Sequence, residues 1–257
     1  MSREQPSSNA PLRILHVTDT HLFAETDKSL RGRVTYSTLQ EVLAHIELSA
    51  WSADLVAVTG DLVQDDSREA YERFRRLMTP LGLPVHCVPG NHDIPPLMQE
   101  VLDSEPFYYC DSVERNNWLI VNIDSCAEGT AAGRVADSEL DRIDDLIGKA
   151  CAEHVMICLH HPPLPVGSAW LDEVGLQNAD RFLRRMMTSG KVRLSIFGHV
   201  HQAFDGAFGS MRVIGTPSTC RQFTVGSDTY AVDGNPPAYR RIVLHADGAI
   251  DTELVWT

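Results

Sequence analysis

Six short apolar runs, each closed by polar residues at its C-terminal end, constrain this chain more than any other feature. They are LRILHVT (12–18), DLVAVTG (54–60), PVHCVPG (84–90), WLIVNID (118–124), HVMICLHH (154–161) and VRLSIFGH (192–199). Stretches with helical periodicity and one charged face lie between them, over 35–50, 67–79, 137–152 and 176–189. Strands that are apolar on both faces, alternating with amphipathic helices, imply a largely parallel sheet with helices outside it. After His201 the pattern changes to strand-like pieces without helices: FDGAFGSMRVIGT, RQFTVGS, YRRIVLHADG and AIDTELVWT. These are expected to form a second, mostly antiparallel sheet packed face to face on the first. No linker separates the two parts, so the expectation is a polar, disordered leader over 1–11 followed by a single domain over 12–257.

The 257 residues suffice for a sizeable core. A net charge of −13 argues against a partner that is a nucleic-acid polymer, since such surfaces collect Lys and Arg. The six cysteines are scattered, with no CxxC pair, and read as free thiols of a reducing compartment. The N-terminus lacks a secretory apolar core, and no apolar run reaches the ~20 residues that span a bilayer. A cytoplasmic protein with no membrane partner is expected; nothing in the sequence sets the oligomeric state.

The polar residues that end the runs have one chemistry. Run one ends in Asp19-Thr20-His21, run two in Gly60-Asp61 and run three in Gly90-Asn91-His92-Asp93, while the later runs end in His160-His161 and Gly198-His199-Val200-His201. In an open α/β sheet the carboxyl ends of parallel strands share one edge, where ligand sites form. Carboxylates, an amide oxygen and imidazoles, without thiolate, suit Zn, Mn, Fe or Co better than a purely oxygen-ligated ion. So many donors exceed the needs of one tetrahedral ion but suit a pair roughly 3.5–4 Å apart that shares a carboxylate. Each piece alone has a plainer explanation: Asp61 as a helix N-cap, GNHD as a tight turn, GHVH as a hairpin tip. Their order at successive strand ends favours the metal pair. His16, His45, His86, His154 and His245 are set aside as isolated histidines.

The ordered set DTH, GD, GNHD, HH and GHVH resembles the calcineurin-like metallophosphoesterases, with no departure at a motif position. The further stretches TDTHLFA, SAWLDEVGLQNA (168–179), GTPSTCRQF (215–223) and LHADG (244–248) are similar to bacterial class III 3′,5′-cyclic-AMP phosphodiesterases. The resemblance implies an α/β (α+β) four-layer αββα sandwich, two mixed β-sheets flanked by helices. It implies two metal ions, commonly Fe and Mn, with Zn, Co or Mg as alternatives. It assigns Asp19, His21 and His201 to the first ion and Asn91, His160 and His199 to the second, with Asp61 bridging. His92 takes the family's catalytic, non-ligand place; His161 supports the site or faces substrate; and His21, Asp61, Asn91, His92 and His201 border the substrate. The implied reaction is hydrolysis of 3′,5′-cyclic AMP to 5′-AMP by a hydroxide that bridges the metals. Other small phosphodiesters, glycerophosphodiesters and 2′,3′-cyclic nucleotides among them, are the competing substrates, and a non-catalytic scaffold is the competing class. Cys220 reads as a packing residue, with a redox role as the weaker alternative.

Overall fold

The computed structural model describes residues 10–257, so the leader expected over 1–11 lies, except for its last two residues, outside the described residues. The chain order begins β1 (Leu12–Val17), β2 (Ser29–Leu30), β3 (Arg33–Val34), α1 (Thr35–Leu48), β4 (Leu55–Thr59), α2 (Arg68–Met78), β5 (Val85–Val88), α3 (Pro95–Leu102), β6 (Phe107–Tyr109) and β7 (Ser112–Arg115). It continues with β8 (Trp118–Asn122), α4 (Asp137–Lys149), β9 (His154–Cys158), α5 (Ala169–Asp172), α6 (Ala179–Thr188), β10 (Val192–Phe197), β11 (Phe204–Phe208), β12 (Met211–Gly215), β13 (Ala238–Leu244) and β14 (Ile250–Trp256). Every one of the six apolar runs is a strand.

The strands form two six-stranded mixed sheets, β14-β13-β1-β4-β5-β6 and β11-β12-β10-β9-β8-β7. The first has a parallel core, β1-β4-β5-β6, beyond which β13 pairs antiparallel with β1 and the edge strand β14 antiparallel with β13. The second repeats this plan, with β8, β9, β10 and β12 parallel, β7 antiparallel at one edge and β11 at the other. Alternate residues of each strand serve two cores, as the pleat requires. Ile14, Leu55 and Ala57 meet Ile120, Met156 and Ile196 in the layer between the sheets. Leu15, Val56 and Val85 face outward against Leu39, Val42, Phe74 and Met98 of the helices. Val121, Val155 and Val213 do the same against Leu140, Ile143, Phe182 and Met186. The result is the four-layer αββα arrangement that the family resemblance implied.

One expectation fails. The segments after His201 do not build a sheet of their own: β11 and β12 extend the sheet of β8–β10, whereas β13 and β14 pair along β1 on the other sheet. Within RQFTVGS only an isolated bridge forms, Phe223 to Val232. Among the described residues no helix is long and apolar enough to cross a membrane.

Candidate metal centre

The C-terminal ends of β1, β4 and β5 from one sheet meet those of β9 and β10 from the other. Backbone hydrogen bonds clamp the loops together: Asp19 N–H to the Gly60 carbonyl (3.0 Å), His21 N–H to the Asp61 carbonyl (3.0 Å) and Gly198 N–H to the His160 carbonyl (3.2 Å). Asp19, His21, Asp61, His199 and His201 all have left-handed backbone, with φ of 54°, 45°, 52°, 68° and 48°. Non-glycine residues rarely adopt this region, and such strain clusters at functional sites.

Two groups of donor atoms lie where these loops meet, and backbone carbonyls fix their lone pairs. In the first, His201 Nδ1–H donates to the Arg221 carbonyl at 2.5 Å, so Nε2 carries the lone pair. That Nε2 lies 3.1 Å from His21 Nε2 and 3.3 Å from Asp19 Oδ1. In the second, His160 Nδ1–H donates to the Thr59 carbonyl at 2.7 Å, and Nε2 faces Asn91 Oδ1 (3.2 Å) and His199 Nδ1 (3.2 Å). Asn91 Oδ1 and His199 Nδ1 are 2.9 Å apart. Asp61 stands between the groups: Oδ1 is 3.5 Å from His160 Nε2 and Oδ2 is 3.7 Å from His21 Nε2. Buried nitrogen and oxygen donors that converge this closely from five loops are those of a transition-metal site. The residues present therefore fit a metal pair.

Electrostatics agree. Burial pushes the Asp19 carboxyl up, but His201 and then His160 outweigh it and hold it below its ordinary value. Asp61 is likewise raised by burial and lowered further by His160, to a net value well below the ordinary one. Burial, only partly offset by Asp61, depresses His21 to about 3. Burial together with the neighbouring His160 depresses His199 to about 3. His160 is opposed by burial, yet Asp61 raises it to about 9. The cluster thus keeps two carboxylates ionised and His21 and His199 neutral, the forms that bind metal, while His160 holds a proton that a bound ion would displace.

The outer residues sort themselves by contact. His92 approaches His21 edge-on, ring centroids 5.2 Å apart, and its Nδ1 accepts from the Gln64 side-chain amide at 3.1 Å. Gln64, which the motifs did not single out, thereby places the His92 proton on Nε2. His161 is fully buried; its Nε2–H donates to the Ala131 carbonyl (3.2 Å) and its Nδ1 accepts from Ser125 Oγ (2.9 Å). Both nitrogens are occupied, so it wedges His160 and His199 in place and does not face substrate. His16, one of the isolated histidines, is held by Thr59 Oγ1 and Thr216 Oγ1, each at 2.7 Å. Cys220 is buried, with its thiol pushed up to about 12 by burial, as suits a packing residue.

A cleft of about 180 Å³ opens above the donor groups, lined by His21, Asp61, Asn91, His92, His199 and His201 on its floor and by Arg31, Trp170 and Phe223 on its wall. Residues 12–203 match the model of the calcineurin-like phosphoesterase family. The chain belongs to that family. Calcineurin-like phosphoesterases are dinuclear-metal hydrolases, and buried His/Asp groups at the floor of the cleft, among them Asp19, His21 and His201 and Asp19, Asp61 and His160, are candidates to hold such ions. Among relatives, the chain is 35% identical over 254 residues to the 3′,5′-cyclic adenosine monophosphate phosphodiesterase CpdA of Pseudomonas aeruginosa, covering 98% of this chain and 93% of the relative. It is 36% identical over 248 residues to CpdA of Vibrio vulnificus, covering 96% and 90%. A dimetal phosphatase from Danio rerio shares the fold of this calcineurin-like phosphoesterase, with a TM-score of 0.63 at 15% identity over 96% of this chain and 99% of that one.

Proposed function

We propose that the protein is a metal-dependent phosphodiesterase that hydrolyses 3′,5′-cyclic AMP to 5′-AMP, with residues 12–257 acting as one domain in the cytoplasm. Asp19, His21 and His201 would hold one ion, Fe, and Asn91, His160 and His199 the other, Mn, with Asp61 shared; Zn, Co or Mg would be the substitutes. The observation that carries the reading is Asp61, one carboxylate whose two oxygens face two separate donor groups at the floor of a cleft. The nearly full-length likeness to relatives named as 3′,5′-cyclic-AMP phosphodiesterases selects the substrate.

The two ions, when bound, lower the pKa of water and draw charge from the phosphate oxygens. The chain does the rest. Asn91 turns Oδ1 toward His160 and His199, which leaves its amide hydrogens for a phosphate oxygen. His92 would deliver a proton from Nε2 to the departing 3′ oxygen as the imidazolium, with the Gln64 side-chain amide turned so that its otherwise unpartnered Oε1 accepts from Nδ1–H, a contribution of about 10²–10⁴-fold. His21 and His201 complete the floor. The test is incubation of the metal-loaded protein with cyclic AMP and chromatography of the product. 5′-AMP should accumulate, and chelation should abolish the reaction. Turnover of glycerophosphodiesters without cyclic AMP hydrolysis would refute the substrate.

A further inference from the structure

The wall of the cleft carries hydrogen-bond donors that the reaction at phosphorus does not use. Arg31 and Gly32 form the two-residue loop of the β2–β3 hairpin, with φ of 51° and 78°. Such loops ordinarily take Asn, Asp or Gly, so an arginine at the first position is strained and needs a reason. Its side chain is anchored: Nε donates to Tyr230 Oη at 2.6 Å, and Cζ lies 4.8 Å from the Phe223 ring centroid and 5.5 Å from that of Tyr230. Its Nη1 is buried and has no partner within the protein. Trp170 meets Phe223 and Tyr230 edge to face, with centroids 5.0 Å and 5.5 Å apart, and its Nε1 is also buried without a partner. Phe223 in turn stacks on His201, centroids 4.4 Å apart at 24°, so this wall is continuous with the donor groups.

We propose that Arg31, Trp170 and Tyr230 form the subsite for the purine base of the nucleotide, Arg31 and Trp170 donating to acceptor nitrogens of the ring while the aromatic faces exclude water. The inference rests on the cyclic-nucleotide reading above and deepens it. Arginine serves because its planar guanidinium both packs on rings and presents several N–H groups at once. Apart from the floor residues, the wall offers donors and the apolar Leu171, Val174 and Phe223, while the acceptor oxygen of Tyr230 already takes the Arg31 Nε–H. The 6-amino group of adenine therefore goes unread, whereas the N7 and O6 of guanine both suit an arginine. The subsite selects a purine ring and discriminates weakly between adenine and guanine.

The test compares kcat and KM of wild type, Arg31→Met and Tyr230→Phe on cyclic AMP, cyclic GMP and base-free ribose 3′,5′-cyclic phosphate. Tyr230 is half exposed, so its loss of a hydroxyl spares the fold while releasing Arg31. For wild type, cyclic GMP should fall within about tenfold of cyclic AMP in kcat/KM, a spread characteristic of one weak contact. Arg31→Met should raise KM for cyclic AMP about 10–100-fold, the range of one charge-assisted hydrogen bond, with a smaller change in kcat. Tyr230→Phe should move KM the same way by less, and the loss on the base-free substrate should be at least about tenfold smaller than on cyclic AMP. Equal losses on both substrates would overturn the subsite by moving Arg31 to the phosphate, and so would an unchanged KM in both variants. A thousandfold preference for cyclic AMP over cyclic GMP would overturn the donor-only reading of the base. Wild-type protein that cuts aryl phosphodiesters but no cyclic nucleotide would instead refute the proposed function.

Discussion

Gly60, at the end of β4 and beside Asp61, tests how tightly the donor groups are built. Its φ of +91° is unfavourable for any side chain. A Cβ there would lie 2.5 Å from His160 Nδ1, 2.8 Å from His160 Cγ and 2.7 Å from the Gly90 nitrogen. Gly82 is the control: it too has a positive φ, +65°, but a Cβ there meets nothing within 4 Å. Gly82→Ala should therefore cost only the left-handed backbone, about 1–2 kcal/mol. Gly60→Ala adds overpacking of about 1–3 kcal/mol, because the obstacles are a backbone atom and a buried ring. It also forces the His160 ring away from the Thr59 carbonyl, 2.7 Å distant, and leaving those groups unpaired adds about 1–3 kcal/mol. The total is about 3–8 kcal/mol, which for a chain of this size lowers Tm by roughly 6–30 °C against about 2–8 °C for the control. Thermal melts in chelator measure this without the ions' own contribution, and metal titration of the refolded proteins should show the site of Asn91, His160 and His199 weakened. Equal melting of the two variants, with full metal content in Gly60→Ala, would refute the reasoning.

Two further outcomes are expected. His92→Ala removes no proposed ligand, so both ions should stay bound while turnover of cyclic AMP falls steeply. An aryl phosphodiester, whose leaving group needs less protonation, should lose less, and equal losses would exclude general-acid action. In chelator, stability should fall as the pH drops below 6.5. His16, His21 and His199, each depressed by burial to about 3, and His161, held by burial well below its ordinary value, take up protons on unfolding that the folded protein lacks. Asp93, pushed up to about 7 by burial and then Asp61, works in the opposite direction but is outnumbered. Each uncompensated proton contributes about 1.4 kcal/mol per pH unit. His160, raised to about 9, adds stability that is fully present below its unfolded value and lost as the pH rises through 9. Urea midpoints that stay level from pH 6.5 to 5 would contradict this account.

The six central strands were legible because burial on both faces makes them continuous apolar runs, against which a terminal Asp19 or His199 stands out. The donor set was legible for the same reason, since each member sits at a strand end. The partition of the C-terminal strands was not. β13 pairs with β1, Leu244 opposite Leu12, a contact across almost the whole chain that no local periodicity encodes. RQFTVGS alternates like a strand, yet Phe223 leaves the ladder to stack on His201. α3 was also missed. It is short and opens on Pro95-Pro96, which reads as a loop although proline fits the first turn of a helix. Gln64 and Arg31 lie outside any metal motif, and their roles depend on a neighbour, His92 and Tyr230, that only the fold supplies.

The backbone of the donor groups shows what the fold is for. Five proposed ligand residues in left-handed conformation, each costing about 1–3 kcal/mol, represent a sum comparable to the whole net stability of a domain. Such a cost persists only where surrounding structure over-determines it, and here it does. Both Asp19 carboxylate oxygens accept from the His199 N–H at 3.1 Å, tying a loop of one sheet to a loop of the other. Ser218 Oγ donates to the Asp19 carbonyl at 2.6 Å, and Phe223 N–H to the His201 carbonyl at 3.3 Å. Asn or Gly at these positions would relax the backbone but remove the imidazoles and carboxylates. On the proposed function, the inter-sheet core of Ile14, Leu55, Ile120 and Ile196 offsets this strain and holds the donors in place before any ion arrives, so that binding would spend little on reorganisation.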